Sequence, residues 1–535
     1  MRRDVLVLFG LALAARIVAT LLIDYPPYTD PAYYGLVAEQ LASGHGFTVP
    51  VLWSFLEVGG RLPANPILPV ASNGHWMPLT SILAAGSISL FGGLVGDGRA
   101  AQLPSIVLGS AIVPFSYGLS RELWDSRFNA WIAALLVLLA GPLLIMVPLV
   151  DSFAVFGAAG AGSVWCATRA VRAARPGPWL VASGAAAGLA TLARVDGLLL
   201  LVAPVIAWLV RRDGSLARRL GWGAVAIGAF ATVVAPWALR DLSVFGSPLP
   251  SAGGHTLWIT SYNEQFSISH DPSLSSYLAW GAGNIIGSKL LAWGELVGRT
   301  AVLLGGIFVI PFLVGLWRER RRPGLAPFLA YFAAMFVAMG AVFTFHAPKG
   351  AYYHSALAWL PFAAALAAAN LGPTATALGR GWPFLRRAAT HRFLAVAGLL
   401  GAAVLSLVGS GVLIGQWADA YGKLALAAAF LERQGATADR VLAYDPAALH
   451  QLSGNPGVAP PFDGFPVIGQ VVDAYRVRWV VVTLRPGEAR DPLRLWDGAA
   501  ATDADGHHPG FLPARPAFSA PGVRVYEVVS GAPPS

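Results

Sequence analysis

Arginine clusters punctuate this chain at residues 121–127, 169–175, 211–219, 318–322 and 380–392, and apolar stretches long enough to cross a bilayer lie between them. No other feature of the sequence limits the fold so strongly. A transmembrane helix needs about 20 consecutive apolar residues. Segments of that kind are 5–23, 100–119, 128–147, 153–170, 220–239, 300–316, 325–345, 352–370 and 393–414. A shorter pair, 179–192 and 197–210, brings the number of spans to about eleven. With the N-terminus placed in the cytoplasm and sides alternating, every arginine cluster falls inside, as the positive-inside rule requires. The apolar run 78–91, counted as a span, would put the later clusters outside, so it is assigned to the first outer loop as an interfacial helix.

Composition agrees. Of 535 residues, 56% are hydrophobic and 12% charged, and the mean hydropathy is +0.60, too apolar for a soluble chain of this length. The formal charge of +9 comes from arginines in short runs between apolar stretches, which excludes a nucleic-acid-binding face as the reason for it. The single cysteine, Cys166, lies within an apolar stretch, so no internal disulfide framework forms. Arg2 and Arg3 precede an apolar run as in a signal peptide, yet the run continues to Ile23 with no small-x-small cleavage site after it. It is read as a retained first span. The expected fold class is therefore mainly α, a polytopic helical protein of the plasma membrane.

Three segments remain outside: 24–99, 240–299 and the tail 416–535. The tail combines a helix-like stretch at 419–434 with β-rich runs at 441–444, 479–483 and 523–528, separated by Pro and Gly, which predicts a small extracytoplasmic α/β domain. The chain divides accordingly into a membrane domain, 1–415, and a soluble domain, 416–535.

Candidate chemistry gathers on the outer side. Asp30 opens a segment containing Tyr33 and Tyr34 that reads as a short amphipathic helix on the membrane surface, where Asp30 is either an N-cap or a functional acid. The loop between the third and fourth spans is only 148–152, so Asp151 is held at the mouth of the bundle, again as a cap or as a functional acid. The short pair of spans has a recessed turn bearing Arg194 and Asp196. That arginine either pairs locally or meets a lipid phosphate at headgroup depth. His75 precedes the interfacial helix, while Lys349 and His354 stand between the ninth and tenth spans. The second outer segment carries His255, Trp258 and Glu264, polar and aromatic together as on carbohydrate-binding surfaces. No histidine has HExxH or CxxC-type spacing, so the sequence allows a divalent metal without requiring one. Arg16, in the middle of the first span, needs a partner or a polar cavity.

With these residues in place, the chain resembles the GT-C class of membrane glycosyltransferases, which includes protein O-mannosyltransferases, the aminoarabinose transferase of lipid A and the oligosaccharyltransferase catalytic subunit. The likeness covers roughly residues 1–415: an acid near tyrosines opening the first outer loop, an arginine-bearing loop after the second span and an acid at the outer end of the third. The resemblance implies that Asp30 is the catalytic base or acceptor-orienting carboxylate, that Asp151 is the second acid and that Arg194 binds carrier phosphate. Weaker likenesses tie 250–265 and 350–361 to loops of bacterial relatives. Three features depart from the class. Asp30 is followed by proline where many members have a second acid, His75-Trp76 stands in place of a Glu-Lys pair, and no WWD-type motif is present. The last argues against transfer of whole oligosaccharides to asparagine. The implied activity is inverting transfer of a sugar from a polyprenyl-phosphate carrier to a glycan, lipid or protein acceptor, with membrane lipid and no nucleic acid among the partners. Two other readings share these features: a lipid or sugar transporter or flippase, and a non-catalytic carrier-lipid-binding protein of the same fold. Transporters more often show inverted repeats and broken helices at the midplane, and no such repeat is present here.

Overall fold

The computed structural model describes residues 1–211, 215–250, 256–346, 349–379, 381–483, 498 and 500–529. In chain order its helices are α1 (Arg2–Leu22), α2 (Thr29–Ala42), α3 (Leu79–Val95), α4 (Asp97–Trp124), α5 (Arg127–Leu138), α6 (Leu143–Met146), α7 (Ser152–Arg172), α8 (Gly177–Ala193), α9 (Val202–Val210) and α10 (Leu216–Phe245). They continue with α11 (Leu274–Ala279), α12 (Ala282–Leu303), α13 (Val309–Arg318), α14 (Ala326–Val337), α15 (Ala351–Leu378), α16 (Ala388–Arg433), α17 (Pro446–Ser453) and α18 (Phe465–Ala474). Six helical segments among the described residues are long and apolar enough to cross a membrane: α1, α4, α10, Pro323–Val342, α15 and α16. The other expected spans are helical as well, but shorter, less apolar or broken.

Ion pairs and carbonyl contacts gather the arginine-rich ends of these helices. Arg127 grips Asp4 with two hydrogen bonds of 2.7 and 2.9 Å. Arg169 pairs with Glu122 at 2.8 Å, Arg211 donates to the Ala170 carbonyl at 2.9 Å and Arg322 donates to the Leu123 carbonyl. The loops containing Asp30, Asp151, Arg194 and His354 meet at the opposite end.

Two expected spans are interrupted. Residues 128–147 form α5 and the short α6, separated by a break at which Gly141 has φ 54°. Arg16, fully buried in α1, donates to the carbonyls of Leu143 at 3.2 Å and Leu144 at 2.6 Å, and these are the partners it needs inside a membrane. Segment 300–316 is two helices rather than one, because α12 ends at Leu303 and the chain turns through Gly305 and Gly306, both at positive φ. A side chain at Gly305 would also meet Ala402 of α16 at 2.4 Å, so glycine is needed there twice over.

Helix α2 also differs from the expected surface helix. Residues 31–38 are buried throughout, because α3 packs on one side of it and α17 on another. The covering element comes from the C-terminal region. Strands β1 (Thr48–Val49), β2 (Val51–Leu52), β3 (Val70–Ala71), β4 (Val441–Ala443), β5 (Gly457–Val458), β6 (Trp479–Thr483), β7 (Phe518–Ala520) and β8 (Val523–Glu527) form a β1–β3 pair and a sheet of order β2-β5-β4-β6-β8-β7. β2, β5, β4 and β6 run parallel, and β8 and β7 complete the sheet antiparallel. β4 is wholly buried and β6 nearly so, as strands covered on both faces are. One apolar core joins Ala32, Tyr33, Val37 and Val51 to Leu431, Val441, Val480 and Val525. Helix α16 has 46 residues and is about 69 Å long at 1.5 Å per residue, more than twice a hydrocarbon core of about 30 Å. It runs without a break through residue 415, so the expected helix 419–434 is its continuation beyond the bundle.

Candidate active site

Asp151 is the N-cap of α7 and accepts a hydrogen bond from Ser152 N at 2.5 Å. It does more than cap. The Tyr28 hydroxyl donates to its Oδ2 at 2.8 Å, and its Oδ1 lies 3.3 Å from Nδ1 of His354 in the first turn of α15. Asp30 sits in the first turn of α2 without capping it: Tyr28 holds the N-cap position and makes no side-chain cap bond. The Asp30 Oδ2 lies 3.9 Å from the other ring nitrogen, His354 Nε2. Phe153 stacks on that ring with centroids 4.0 Å apart and fixes its plane.

Environment separates the two acids. Burial first, and then the charge of Asp151, raise the Asp30 pKa above the ordinary carboxylate value. Asp151 is buried too, but His354 and the hydrogen bonds from His354, Tyr28 and Ser152 N outweigh that and hold its pKa below the usual value. Such a pair offers one permanent carboxylate and one proton acceptor nearer neutrality. Ligand atoms of Asp30, Asp151 and His354 all lie within 4.8 Å of one another. Two carboxylates and an imidazole this close form a donor set that suits a divalent cation.

Asp30 and His354 line a cavity of about 350 Å³ whose walls include Trp53, Trp76, Tyr262, Lys349 and Trp417. Trp53 and Trp76 stack with centroids 4.1 Å apart and planes 7° from parallel. A second cavity of about 400 Å³, mostly apolar, adjoins it between Val195, Leu198, Leu199, Leu249, Met339 and Phe343. His75, Trp76, Arg194, His346 and Ala351 line both. Burial pushes His75 and His346 down to about 4, so both imidazoles are neutral at pH 7. Arg194 is therefore the permanently charged residue among those five. Its Nε pairs with Asp196 at 3.1 Å, and Asp196 also accepts from Ser355. The local pair exists, and the arginine it orients stands at the junction of the two cavities.

The remaining expected residues divide. Tyr34 lines the apolar cavity, and Lys349 lines the acid chamber, its Nζ 5.5 Å from the Tyr262 ring centroid. Tyr33 instead turns into the protein, donating to buried Glu57 and accepting from Asn73 N at 2.7 Å. Trp258 packs on Tyr277 with centroids 5.9 Å apart, and Glu264 accepts from Thr260 N at 2.5 Å and pairs with His270 at 2.7 Å. Neither lines the two cavities. His255 lies outside the described residues. The sequence reading passed over Tyr28, Trp53 and Trp417. Tyr28 stands two residues before Asp30, a signal that was available; Trp417 arrives on the continuation of α16, which no local pattern reveals.

Residues 75–238 match the family model described as dolichyl-phosphate-mannose-protein mannosyltransferase. No curated protein matches the chain by sequence. Among solved structures the fold resembles ArnT from Cupriavidus metallidurans bound to undecaprenyl phosphate, with 17% identity, a TM-score of 0.59 and 99% of each chain covered. It also resembles the archaeal oligosaccharyltransferase AglB from Archaeoglobus fulgidus in complex with an inhibitory peptide and a dolichol-phosphate, with 14% identity, a TM-score of 0.55 and coverage of 90% of this chain and 69% of that one. The resemblance expected from the acids and the recessed arginine holds across the membrane bundle and the C-terminal sheet alike, and the chain has the GT-C fold of membrane glycosyltransferases.

Proposed function

We propose that this protein is an inverting glycosyltransferase that moves a sugar from a polyprenyl-phosphate carrier to an acceptor hydroxyl at the end of the bundle opposite the arginine clusters. By the positive-inside rule the arginine end is cytoplasmic, so the chemistry is extracytoplasmic. One observation carries the reading: an apolar cavity and an acid-bearing chamber meet at Arg194. An isoprenoid fits the first, its phosphate reaches the arginine, and the sugar enters the second. The similar structures bound to undecaprenyl phosphate and in complex with a dolichol-phosphate support the same class of donor.

In the proposed step the acceptor oxygen attacks the anomeric carbon as the bond from that carbon to the phosphate oxygen breaks. The electron pair leaves with the carrier phosphate, whose charge Arg194 meets, and the acceptor proton passes to Asp30. A single displacement of this kind inverts the anomeric centre. Asp151 and Tyr28 keep His354 in place beside Asp30, and the stacked Trp53 and Trp76 offer a flat apolar face to a sugar ring. Asp30, Asp151 and His354 would hold a divalent cation if the enzyme uses one, which would supply charge stabilisation at the acceptor.

The test is transfer from radiolabelled polyprenyl-phosphate sugars by purified protein, alongside mass spectrometry of the cell envelope with and without the gene. A glycan that disappears with the gene supports the reading. An unchanged envelope together with movement of carrier lipid across vesicles would replace it with a flippase.

A further inference from the structure

Glu57 sits in a single 3-10 turn, Phe55–Val58, after two apolar residues that are also buried, and Ser54 caps the turn by accepting from Leu56 N at 3.2 Å. Only 1% of the residue is exposed. A buried carboxyl is costly unless its oxygens are matched, and the groups around this one are donors. The Tyr33 hydroxyl donates to Oε1, while the Tyr33 oxygen accepts from Asn73 N at 2.7 Å. Burial raises the Glu57 pKa, and Tyr33, the Trp53 indole and the His75 main chain all pull it down, which puts two N–H groups beside the carboxyl in addition to the hydroxyl. Even so, Oε2 and Trp53 Nε1 are buried with no complete hydrogen bond among the described residues. Hydrogen bonds at such sites are often long while the site is empty and tighten when it is filled.

The donors belong to parts of the chamber that must keep their spacing. Tyr33 lies one turn after Asp30 on α2. Trp53 is half of the stacked indole pair, and the Tyr33 ring meets the other half, Trp76, edge to face with centroids 4.4 Å apart. The segment that carries His75 and Trp76 passes so close that a side chain at Gly74 would collide with the Glu57 carbonyl. Glu57 itself lines neither cavity. A carboxylate presents two acceptor oxygens to these donors, whereas an amide of the same shape presents one and turns an NH₂ group toward the rest.

We propose that Glu57 is a positioning residue for sugar transfer: it ties the helix carrying Asp30 to the Trp53–Trp76 pair and so sets how the sugar stands relative to the base. The proposal rests on the transferase reading and adds to it a residue that touches no substrate. A residue that only filled space would be replaced by glutamine without loss, because glutamine has the same shape and no charge to bury.

The test compares wild type, Glu57→Gln, Tyr33→Phe and the double variant as full chains in phosphatidylcholine nanodiscs at pH 8. Stacked indoles couple in circular dichroism, and because the chain has 18 tryptophans the signal of the pair is taken as the part lost in Trp53→Phe. That signal should weaken in Glu57→Gln. Transfer is followed from radiolabelled polyprenyl-phosphate sugars extracted from the cells, with envelope membranes of gene-deleted cells as the acceptor source. At limiting donor its rate should fall by about 10- to 100-fold, the scale of a misplacement of the order of 1 Å. The double variant should be no slower than Glu57→Gln alone, since residues that act as one unit do not add. Undecaprenyl phosphate binding should stay within about threefold of wild type, and the melting temperature should not fall. A weaker indole signal with slower transfer, in a protein that melts no lower and still binds undecaprenyl phosphate, supports the proposal. An unchanged signal, an unchanged rate, or losses that add in the double variant overturn it. Slower transfer accompanied by a lower melting temperature or lost undecaprenyl phosphate binding is general damage and overturns it as well. Absence of transfer by wild type would instead sink the transferase reading, and the indole signal alone would then decide whether Glu57 orients the pair.

Discussion

The imidazole of His354 and the carboxylate of Asp151 face each other at 3.3 Å, and Asp30 approaches the other nitrogen of the same ring at 3.9 Å. Three segments remote in sequence thereby meet in one cluster. Asp30→Asn should lower transfer by about 10² to 10⁴, the range for loss of a general base, while leaving the melting temperature near wild type because Asp30 caps nothing. Near wild-type transfer by that variant would remove Asp30 from the base role.

Asp151→Asn acts through the same coupling. The Asp151 charge helps raise the Asp30 pKa, so its removal makes Asp30 easier to ionise and moves the acid limb of the rate profile to lower pH. Asparagine still caps α7. A pH–rate profile of the variant checks this, and an unmoved limb would mean that another group titrates.

Arg194→Ala should weaken donor binding by at least about tenfold, with Arg194→Lys between the two, since lysine keeps the charge and loses the planar fork. Titration with undecaprenyl phosphate measures it. Asp196→Asn, which loosens the pair at 3.1 Å, is expected to give a smaller loss than Arg194→Ala. Equal affinity in wild type and Arg194→Ala would leave the arginine as a turn residue only.

Glu57 is buried beneath the chamber wall, and burial pushes its pKa from 4.5 up to about 7 even though Tyr33 donates to it. The folded state therefore holds a proton there that the unfolded chain releases from about pH 4.5 upward, and stability falls as pH rises toward 7. The penalty reaches about 3 kcal/mol above that pH. Glu57→Gln, neutral at every pH, should flatten the fall and melt higher than wild type at pH 8. Parallel melting curves for the two proteins across that range would show the carboxyl to be ionised at no cost.

Reporter fusions locate the two ends of the bundle. A fusion after Arg322 should report the cytoplasm and one after Val529 the exported side. Both reporters on one side would contradict the alternation on which the extracytoplasmic site depends.

The spans were legible because hydropathy and charge are local: the arginine clusters alone ordered the bundle. The burial of helix α2 was not, since what covers it, α17, lies far along the chain. Helix α12 was hidden for a different reason. Lys289, Glu295 and Arg299 lower its hydropathy, while the apolar run over 300–316 conceals the turn at Gly305 and Gly306. Asp30, Asp151 and Arg194 each carried a sign in their immediate neighbours, but His354 as the bridge between the acids, Trp53 as a chamber wall and β2 as a sheet strand are products of tertiary packing, and no window of sequence contains them.

Strand β2 has a consequence for how the protein comes into being. Val51 and Leu52 pair with Gly457 and Val458, so the second partner is made long after the first. Until β5 arrives, the edge of β2 has no partner and α2, with Asp30 upon it, lies uncovered by α17. A chain stalled or cut before α17 would therefore hold the helices of its bundle but leave α2 uncovered, with Asp30 upon it.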